Sequence, residues 1–550
     1  MFHLLMLVAG AISLALTTAT AFAADPITAD VVVYGDTSGG VTAAVQASRM
    51  GKTAIVISPT GHLGGMTSSG LGWTDLGNQA ILGGLARDFY HRVYEHYQGD
   101  DAWVHEPRAG FRNQGQGLPS LDPAAKLATT FEPHVAEAAF NDLAAEAKVR
   151  RLTGRLDLTQ PVRKDGPRIV VLRLEDGLEV AGKMFIDASY EGDLMAAAAV
   201  SFVIGREANA EFAEQGNGIV GPRAGNQLPD GIDAYRVAGD PTTGLLPGVN
   251  EGLGGSVGDA DHRLQAYCYR MVLTDAPANR VAIAKPAGYD EGDYEILFRA
   301  IAAGQRERFF KTSSVPNRKT DSNNLGGISC DLIGGNYGPD WNWATLSHQR
   351  RADVAARHRD WQLGLVWTLQ HHPRIPEAIR QQHAKWGLAK DEFPDNGHWP
   401  CHLYVREARR MRSDFVMTEH HCRGTKPVED PVGLGAYTLD SHHVQRVVSK
   451  GQVKNEGDIQ ASLGGKPYGI AYRSIVPREA ECQNLLVPWA LSATHIAFGS
   501  IRMEPVFMTL GQSAATAACL AIDAGSSVQK VPYEKLRDRL NADGQTLTIK

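Results

Sequence analysis

The chain has 550 residues, 43% of them hydrophobic and 21% charged, with a formal net charge of −6. That length and balance describe a globular protein of roughly two to four domain-sized units and exclude an intrinsically disordered chain. With no long basic run, the charge pattern gives no sign of a nucleic-acid or anionic-membrane partner.

At the N-terminus, Leu4 to Leu16 is almost wholly apolar and leads to Ala21-Phe22-Ala23. An apolar core followed by an A-x-A site reads as a secretory signal peptide over residues 1–23, with the mature chain starting near Ala24. His3 is the only potentially basic side chain ahead of it, so an uncleaved N-terminal anchor is the other reading. There is no twin-arginine pair, and export is expected to be Sec-type, to the periplasm or beyond. No later stretch reaches the ~20 apolar residues that span a membrane.

Residues 30–58 then read as strand, glycine-rich turn, helix and strand. Val31 to Tyr34 is a short β-branched run suited to a strand buried on both faces. Gly35-Asp-Thr-Ser-Gly-Gly40 fills the slots of G-x-G-x-x-G, with Thr37 in the middle glycine slot. Val41 to Met50 predicts a helix stopped by Gly51, and Thr53 to Ser58 a second strand. This is the first βαβ unit of a dinucleotide-binding domain, with first-turn amides facing a pyrophosphate. The end of the second strand, where an acid usually binds the ribose, holds Ser58.

A glycine-rich loop follows, in which Gly64 and Gly65 allow close approach of a flat ligand and Thr67, Ser68 and Ser69 offer hydroxyls. Residues 131–147 predict an amphipathic helix starting near Pro133, followed by strands at 149–152, 168–174 and 179–186. The last strand ends in Asp187-Ala-Ser-Tyr-Glu-Gly-Asp-Leu194, at the strand end where open α/β sheets bind ligands. Residues 206–470 have a different texture, richer in turns and aromatics, and read as an inserted second domain. Near the C-terminus come a strand at 484–490, a polar turn at 492–495 and a small-residue helix at 507–518. The six cysteines show no C-x-x-C spacing, which argues against a redox dithiol, an iron–sulfur cluster or a zinc ribbon. Cys401–Cys422 is the first candidate disulfide, with buried free thiols the alternative.

Asp-Val-Val-Val-Tyr-Gly-x-Thr-Ser-Gly-Gly, His62-Leu-Gly-Gly-Met66, Asp187-Ala-Ser-Tyr-Glu-Gly-Asp-Leu-Met195 and Arg406-Glu-Ala-Arg-Arg410 occur in this order. Tyr472-Arg-Ser-Ile-Val-Pro477, Ser492-Ala-Thr-His495, Ser500-Ile-Arg-Met-Glu-Pro505 and Gly511-Gln-Ser-Ala-Ala-Thr-Ala-Ala518 follow. Together they resemble the exported FAD-dependent oxidoreductase family with a glutathione-reductase-type FAD domain, members of which often carry the label "xanthan lyase". The resemblance covers nearly all of the mature chain, and Thr37 is common in that family. It implies an α/β fold: a Rossmann-like FAD-binding domain over 24–205 and 471–550, with an inserted α+β substrate domain over 206–470.

The resemblance also implies FAD on Gly35, Thr37, Ser38, Gly39, Gly40 and the region of Ser58. The flavin ring would lie between Gly64, Gly65, Met66, Thr67 and Ser68 and a helix start at Gly511, Gln512, Ser513 and Ala514, with Ala188 and Ser189 nearby. That helix terminus would stabilise charge on the reduced flavin. Ser58 and Ala515, in place of a family glycine, depart from the pattern. His62 does not match a histidine-linked spacing, so the FAD is expected to be noncovalent. No second G-x-G-x-x-G unit is present to bind NAD(P), so electrons would pass to oxygen, a quinone or a periplasmic carrier.

A flavin enzyme needs a proton acceptor or donor beside the reacting carbon. His495, in the polar turn, is the leading candidate for acid or base, against a histidine merely bonded to loop groups. Arg502 would orient an anionic or polyhydroxylated substrate, or pair with Glu504. Arg406, Glu407, Arg409 and Arg410 read as a solvated or ion-paired helix face. Of the adjacent His442 and His443, at most one would line a pocket. No spacing supports a metal site. Six of the nine tryptophans, including Trp341, Trp343, Trp361, Trp367 and Trp399, fall in the middle segment, which leans towards a sugar-derived or other polar small molecule. The competing reading is a polysaccharide-binding or lyase-type protein with a vestigial or non-redox flavin.

Overall fold

A computed structural model describes residues 25–116 and 118–549; the expected signal peptide lies outside the described residues. One seven-stranded sheet organises the ends of the chain. Its strands are β1 (Ile27–Tyr34), β2 (Ala54–Ser58), β3 (Arg150–Thr153), β4 (Val162–Asp165), β5 (Arg168–Arg173), β6 (Glu179–Asp187) and β7 (Leu485–Leu486). They lie in the order 3-2-1-6-5-4, with β7 on β6. β1, β2, β3, β6 and β7 run parallel; β4 and β5 form an antiparallel meander. β1 sits between β2 and β6, and Val31, Val32 and Val33 have no exposed surface, as expected of a strand covered on both faces.

β7 is only two residues long, where the apolar run predicts a strand to residue 490. Beyond Leu486 the chain leaves the sheet: the Val487 amide bonds to Ile475 O, and Ala490 O accepts from the Met411 amide. The apolar residues there are buried by loops instead.

The helices that shape the site are α1 (Ser38–Arg49), α2 (Gly84–His96), α3 (Pro133–Glu146), α4 (His495–Ile501) and α5 (Glu504–Ala524). α5 is long and apolar enough to cross a membrane, but 89% of that stretch is buried inside the protein. It lies against α1 so closely that a Cβ on Gly511 would stand 2.0 Å from Gly39 O and 2.6 Å from Thr42 Oγ1. Thr42 Oγ1 donates to Met508 O (2.8 Å), and Gln46 Nε2 to Thr516 Oγ1 (3.0 Å), so polar groups as well as small residues hold the crossing.

The middle of the chain builds smaller sheets, chiefly a five-stranded antiparallel one, and the 24-residue helix His348–His371. Arg406 to Arg410 form no helix there. Arg409–Met411 is a strand paired with Phe202–Ile204, and Arg406, Glu407 and Arg410 are fully buried, which corrects the solvated-face reading. All six cysteines are free. The Cys401–Cys422 pairing is not formed, because Cys401 packs on Val272, Ala389 and Phe393 while Cys422 Sγ faces Ala497 O.

Gly511→Ala is expected to destabilise the protein by about 1–3 kcal/mol, since backbone rather than a flexible side chain blocks the new methyl. Urea unfolding of the two proteins measures this; an unchanged midpoint would show that the helices can separate freely.

Candidate functional site

The turn between β1 and α1 is shaped by its glycines. Gly35 has φ +118°, and a Cβ there would meet the Ala188 carbonyl at 2.6 Å. Thr37 is the N-cap of α1: its Oγ1 accepts from the Gly40 amide (3.1 Å) and donates to Ala188 O (2.8 Å). That hydroxyl proton is committed within the protein, so Thr37 replaces a glycine by capping rather than by contacting phosphate. The Ser38 and Gly39 amides remain among the first-turn groups that a helix leaves open.

The Gly64–Ser68 segment reaches this turn directly. The Gly64 amide donates to Asp36 O (2.7 Å), and Gly65–Ser68 forms one 3-10 turn. The Met66 amide donates to the Tyr190 hydroxyl (2.6 Å), and Ser68 Oγ to Leu63 O (2.7 Å). Glu504, the first residue of α5, ties the pieces together. Its Oε2 accepts from Ser38 Oγ (2.5 Å) and Thr67 Oγ1 (2.9 Å), and its Oε1 from Tyr190 (3.2 Å). Burial pushes its carboxyl up to about 7, against the opposing pull of those three hydroxyls.

Ala188 and Ser189 leave the end of β6. Ser189 Oγ donates to Asp187 Oδ1 (2.6 Å) and accepts from the Gly192 amide (3.1 Å). Ser58, at the end of β2, donates to Asp36 Oδ2 (2.7 Å). Gly35, Asp36, Thr37, Ser189, Tyr190 and His402 line a cleft of about 220 Å³.

Gly511, Gln512, Ser513 and Ala514 lie elsewhere than expected. α5 begins at Glu504, with Pro505 in its first turn, so Gly511 is about two turns inside the helix. Gln512 Oε1 accepts from the Leu85 amide (2.8 Å), Ser513 Oγ donates to Val432 O (2.6 Å), and Ala514 is buried. These are packing groups, and the reading of Gly511–Ala514 as a helix start is corrected. The charged Arg502-Met-Glu-Pro505 run contains the true N-terminus.

His495 opens α4 and is 1% exposed. Its Nδ1 lies 2.7 Å from Glu407 Oε2 and its Nε2 3.0 Å from Ser441 Oγ. Burial alone would raise the Glu407 carboxyl, but His495 and Arg410 outweigh it and hold it down at about 2. Arg502 pairs with Asp440 (2.6 Å), not Glu504, and its Nη1 donates to the Tyr404 hydroxyl (2.8 Å). The neighbouring histidines diverge: His442 meets Asp331 (2.8 Å) and Asp440 (3.3 Å), whereas His443 meets Asn226 O (2.9 Å). Tyr404 lies in none of the motifs, Glu504 and Tyr190 lie within them, and only the fold shows what the three meet.

A family model described as FAD dependent oxidoreductase matches residues 30–540. The chain belongs to the FAD-dependent oxidoreductase family. FAD is the cofactor of that family, and the open Gly35 turn, the first-turn amides of α1 and the adjoining cleft fit a dinucleotide. No curated protein matches this oxidoreductase. Among solved structures it is similar to OxyS anhydrotetracycline hydroxylase from Streptomyces rimosus, at 16% identity and TM-score 0.22 over 33% of this chain and 36% of that one. It is similar to 3-ketosteroid-delta4-(5alpha)-dehydrogenase from Rhodococcus jostii RHA1, at 19% identity and TM-score 0.20 over 34% of this chain and 52% of that one. The third is L-amino acid deaminase from Proteus vulgaris, at 14% identity and TM-score 0.22 over 33% and 52%. The matches thus span about a third to a half of those proteins' lengths.

The Glu504 carboxyl stands near 7 in the folded oxidoreductase, against an ordinary value of 4.5. A raised value favours folding while the group is protonated, and that contribution is lost as pH rises from about 4.5 through about 7. Glu504→Gln is therefore expected to show a smaller fall in Tm than the parent between about pH 5 and about pH 8. Parallel Tm profiles for the two proteins would refute this.

Proposed function

We propose that this oxidoreductase takes hydride from a polar small molecule bearing oxygen or nitrogen at the reacting carbon. The observation that carries the reading is a buried phenol ringed by cations. Tyr404 accepts from Arg502 (2.8 Å), with the Arg406 and Arg270 guanidinium carbons 4.6 and 5.7 Å from its ring. Arg270 backs onto the flavin-side loop, where a Cβ on Gly70 would stand 1.9 Å from Arg270 O. The Nε groups of Arg406 and Arg502 have no hydrogen-bond partner, and buried donors of that kind suit an anionic or hydroxylated ligand.

In this reading FAD supplies the two-electron acceptor. Arg502 and Arg406 orient the substrate, and the Tyr404 hydroxyl holds its oxygen or nitrogen by a hydrogen bond. Burial raises the Tyr404 phenol, and the guanidinia only partly oppose it, so it is neutral near pH 7. His495, held at both ring nitrogens, serves as a positioning residue through Glu407. The adenosine diphosphate half would rest on Gly35–Gly40 and the ring beside Gly64–Ser68, in a glutathione-reductase-type domain with residues 206–470 as an inserted substrate unit. His62 supports noncovalent FAD, since its ring nitrogens face Glu137 (2.9 Å) and Asp395 (3.2 Å). Electrons would leave to oxygen, a quinone or a periplasmic carrier, and the Leu4–Ala23 segment would direct export.

One observation favours the polysaccharide-binding or lyase-type alternative. A cavity of about 960 Å³ is lined by Tyr337, Trp341, His262 and Arg263, among others, and shares no residue with the dinucleotide cleft. Aromatic faces beside cationic and polar groups suit a sugar.

Purified protein should carry flavin colour that bleaches anaerobically with a member of a panel of sugars, polyols and amines. Recovery in air distinguishes an oxidase from a dehydrogenase. Flavin that no member bleaches, together with sugar binding, would support the alternative. Arg502→Lys should retain FAD but slow flavin reduction roughly 10–100-fold, because lysine cannot reproduce a planar fork of donors. An unchanged reduction rate would remove Arg502 from the substrate site.

A further inference from the structure

Ser58 stands where a dinucleotide-binding unit usually presents an acid to the ribose. It is too short to reach far and neutral, and its hydroxyl is already engaged: it donates to Asp36 Oδ2 (2.7 Å) and accepts from the Gly61 amide (2.8 Å). The acceptor of its proton belongs to the neighbouring strand's turn. Asp36, directly after Gly35, is 2% exposed and lines the dinucleotide cleft.

Three donors fix one oxygen of that carboxylate. Asp36 Oδ2 accepts from Ser58 Oγ (2.7 Å), Thr60 Oγ1 (2.7 Å) and the Thr60 amide (3.2 Å). Its other oxygen, Oδ1, has only the His402 Nε2 atom, 3.5 Å away. One oxygen is buttressed by the end of β2, and the other is left with acceptor capacity beside the cleft. A carboxylate held in that way suits a vicinal diol, whose hydroxyls donate while the acid only accepts.

We propose that Asp36 is the ribose-recognising acid of this protein, moved from the end of β2 to the glycine-rich turn, with Ser58 and Thr60 holding it in place. The proposal rests on the FAD reading above. Two other carboxylates line the cleft. Asp193 is consumed by Arg351 (2.5 Å) and Arg409 (2.7 Å). Glu191 takes the Trp343 indole N–H (3.3 Å). Asp36 is the one fixed by the same strand end that ordinarily supplies the acid.

The test uses full-length protein stripped of flavin, with affinity read from quenching of flavin fluorescence. Asp36→Asn should bind FAD roughly 10–100-fold more weakly, the loss expected for a hydrogen bond to a charged group, while FMN binding stays unchanged. Glu191→Gln should bind FAD like the parent. Moving the acid back in the double substitution Asp36→Gly, Ser58→Glu should recover most of the lost affinity. The parent should also prefer ADP to 2′,3′-dideoxyadenosine diphosphate as a competitor, and Asp36→Asn should lose that preference.

A parent that binds no FAD would sink the cofactor reading itself. A parent that binds FAD but does not distinguish the two diphosphates would overturn the assignment of Asp36, even if the Asn variant failed to fold. Equal FAD affinity in the parent and Asp36→Asn would overturn it as well.

Discussion

Everything in the site depends on how closely two helices from opposite ends of the chain can approach. α1 and α5 meet at Gly39 and Gly511, where even a methyl group would strike backbone. Close-packed interiors respond steeply to added volume, so this crossing fixes the distance between the helices. Because α5 starts at Glu504, the same contact sets its carboxylate against Ser38 at the start of α1 and against Thr67 on the Gly65–Ser68 turn. Two helix beginnings and a glycine-rich turn are thereby tied through one buried acid.

The protein also buries several of its charged residues. Arg406, Arg410 and Arg502 are among the largest fully buried side chains. Each is matched: Arg410 by Glu207 and Glu407, Arg406 by Asp331, Arg502 by Asp440. Buried ion pairs offer little net stability once desolvation is counted, although removing one partner is costly. Their more direct consequence is orientation. The network holds His495 at both ring nitrogens, while the buried Nε groups of Arg406 and Arg502 have no hydrogen-bond partner.

Much of the nucleotide-binding half was legible from local pattern. The run Val31–Tyr34, the Gly35–Gly40 turn, the helix after it and the stop at Gly51 all follow from side-chain period and from glycine's freedom, and the structure keeps each, with the strand starting four residues earlier at Ile27 and the helix three earlier at Ser38. Thr37 was legible as a departure, but the fate of its hydroxyl proton was not, since the acceptor, Ala188 O, lies 151 residues away. The start of α5 was misplaced because the small residues drew the expected helix to 507–518, although proline at 505 is well suited to a helix's first turn. Arg406 to Arg410 misled for a related reason: charged residues in a row are usually solvated, and only burial against distant carboxylates reverses that expectation.

By itself, then, the sequence determined the βαβ unit, because this rests on contiguous glycines and apolar runs whose preferences are local, while the family and its cofactor came from the resemblance of motifs spread along the chain. Tertiary structure alone decided which charged groups share a site. Glu504 meets Ser38 across 466 residues, and Arg502 meets Tyr404 across 98. Coulombic and hydrogen-bond partners are selected by distance in space after the core has packed, and no periodicity along the chain records that distance. Asp36 and Ser58 fall between the two cases. Both stand in plain view in the sequence, yet only the parallel pairing of β1 with β2 brings the hydroxyl to the acid.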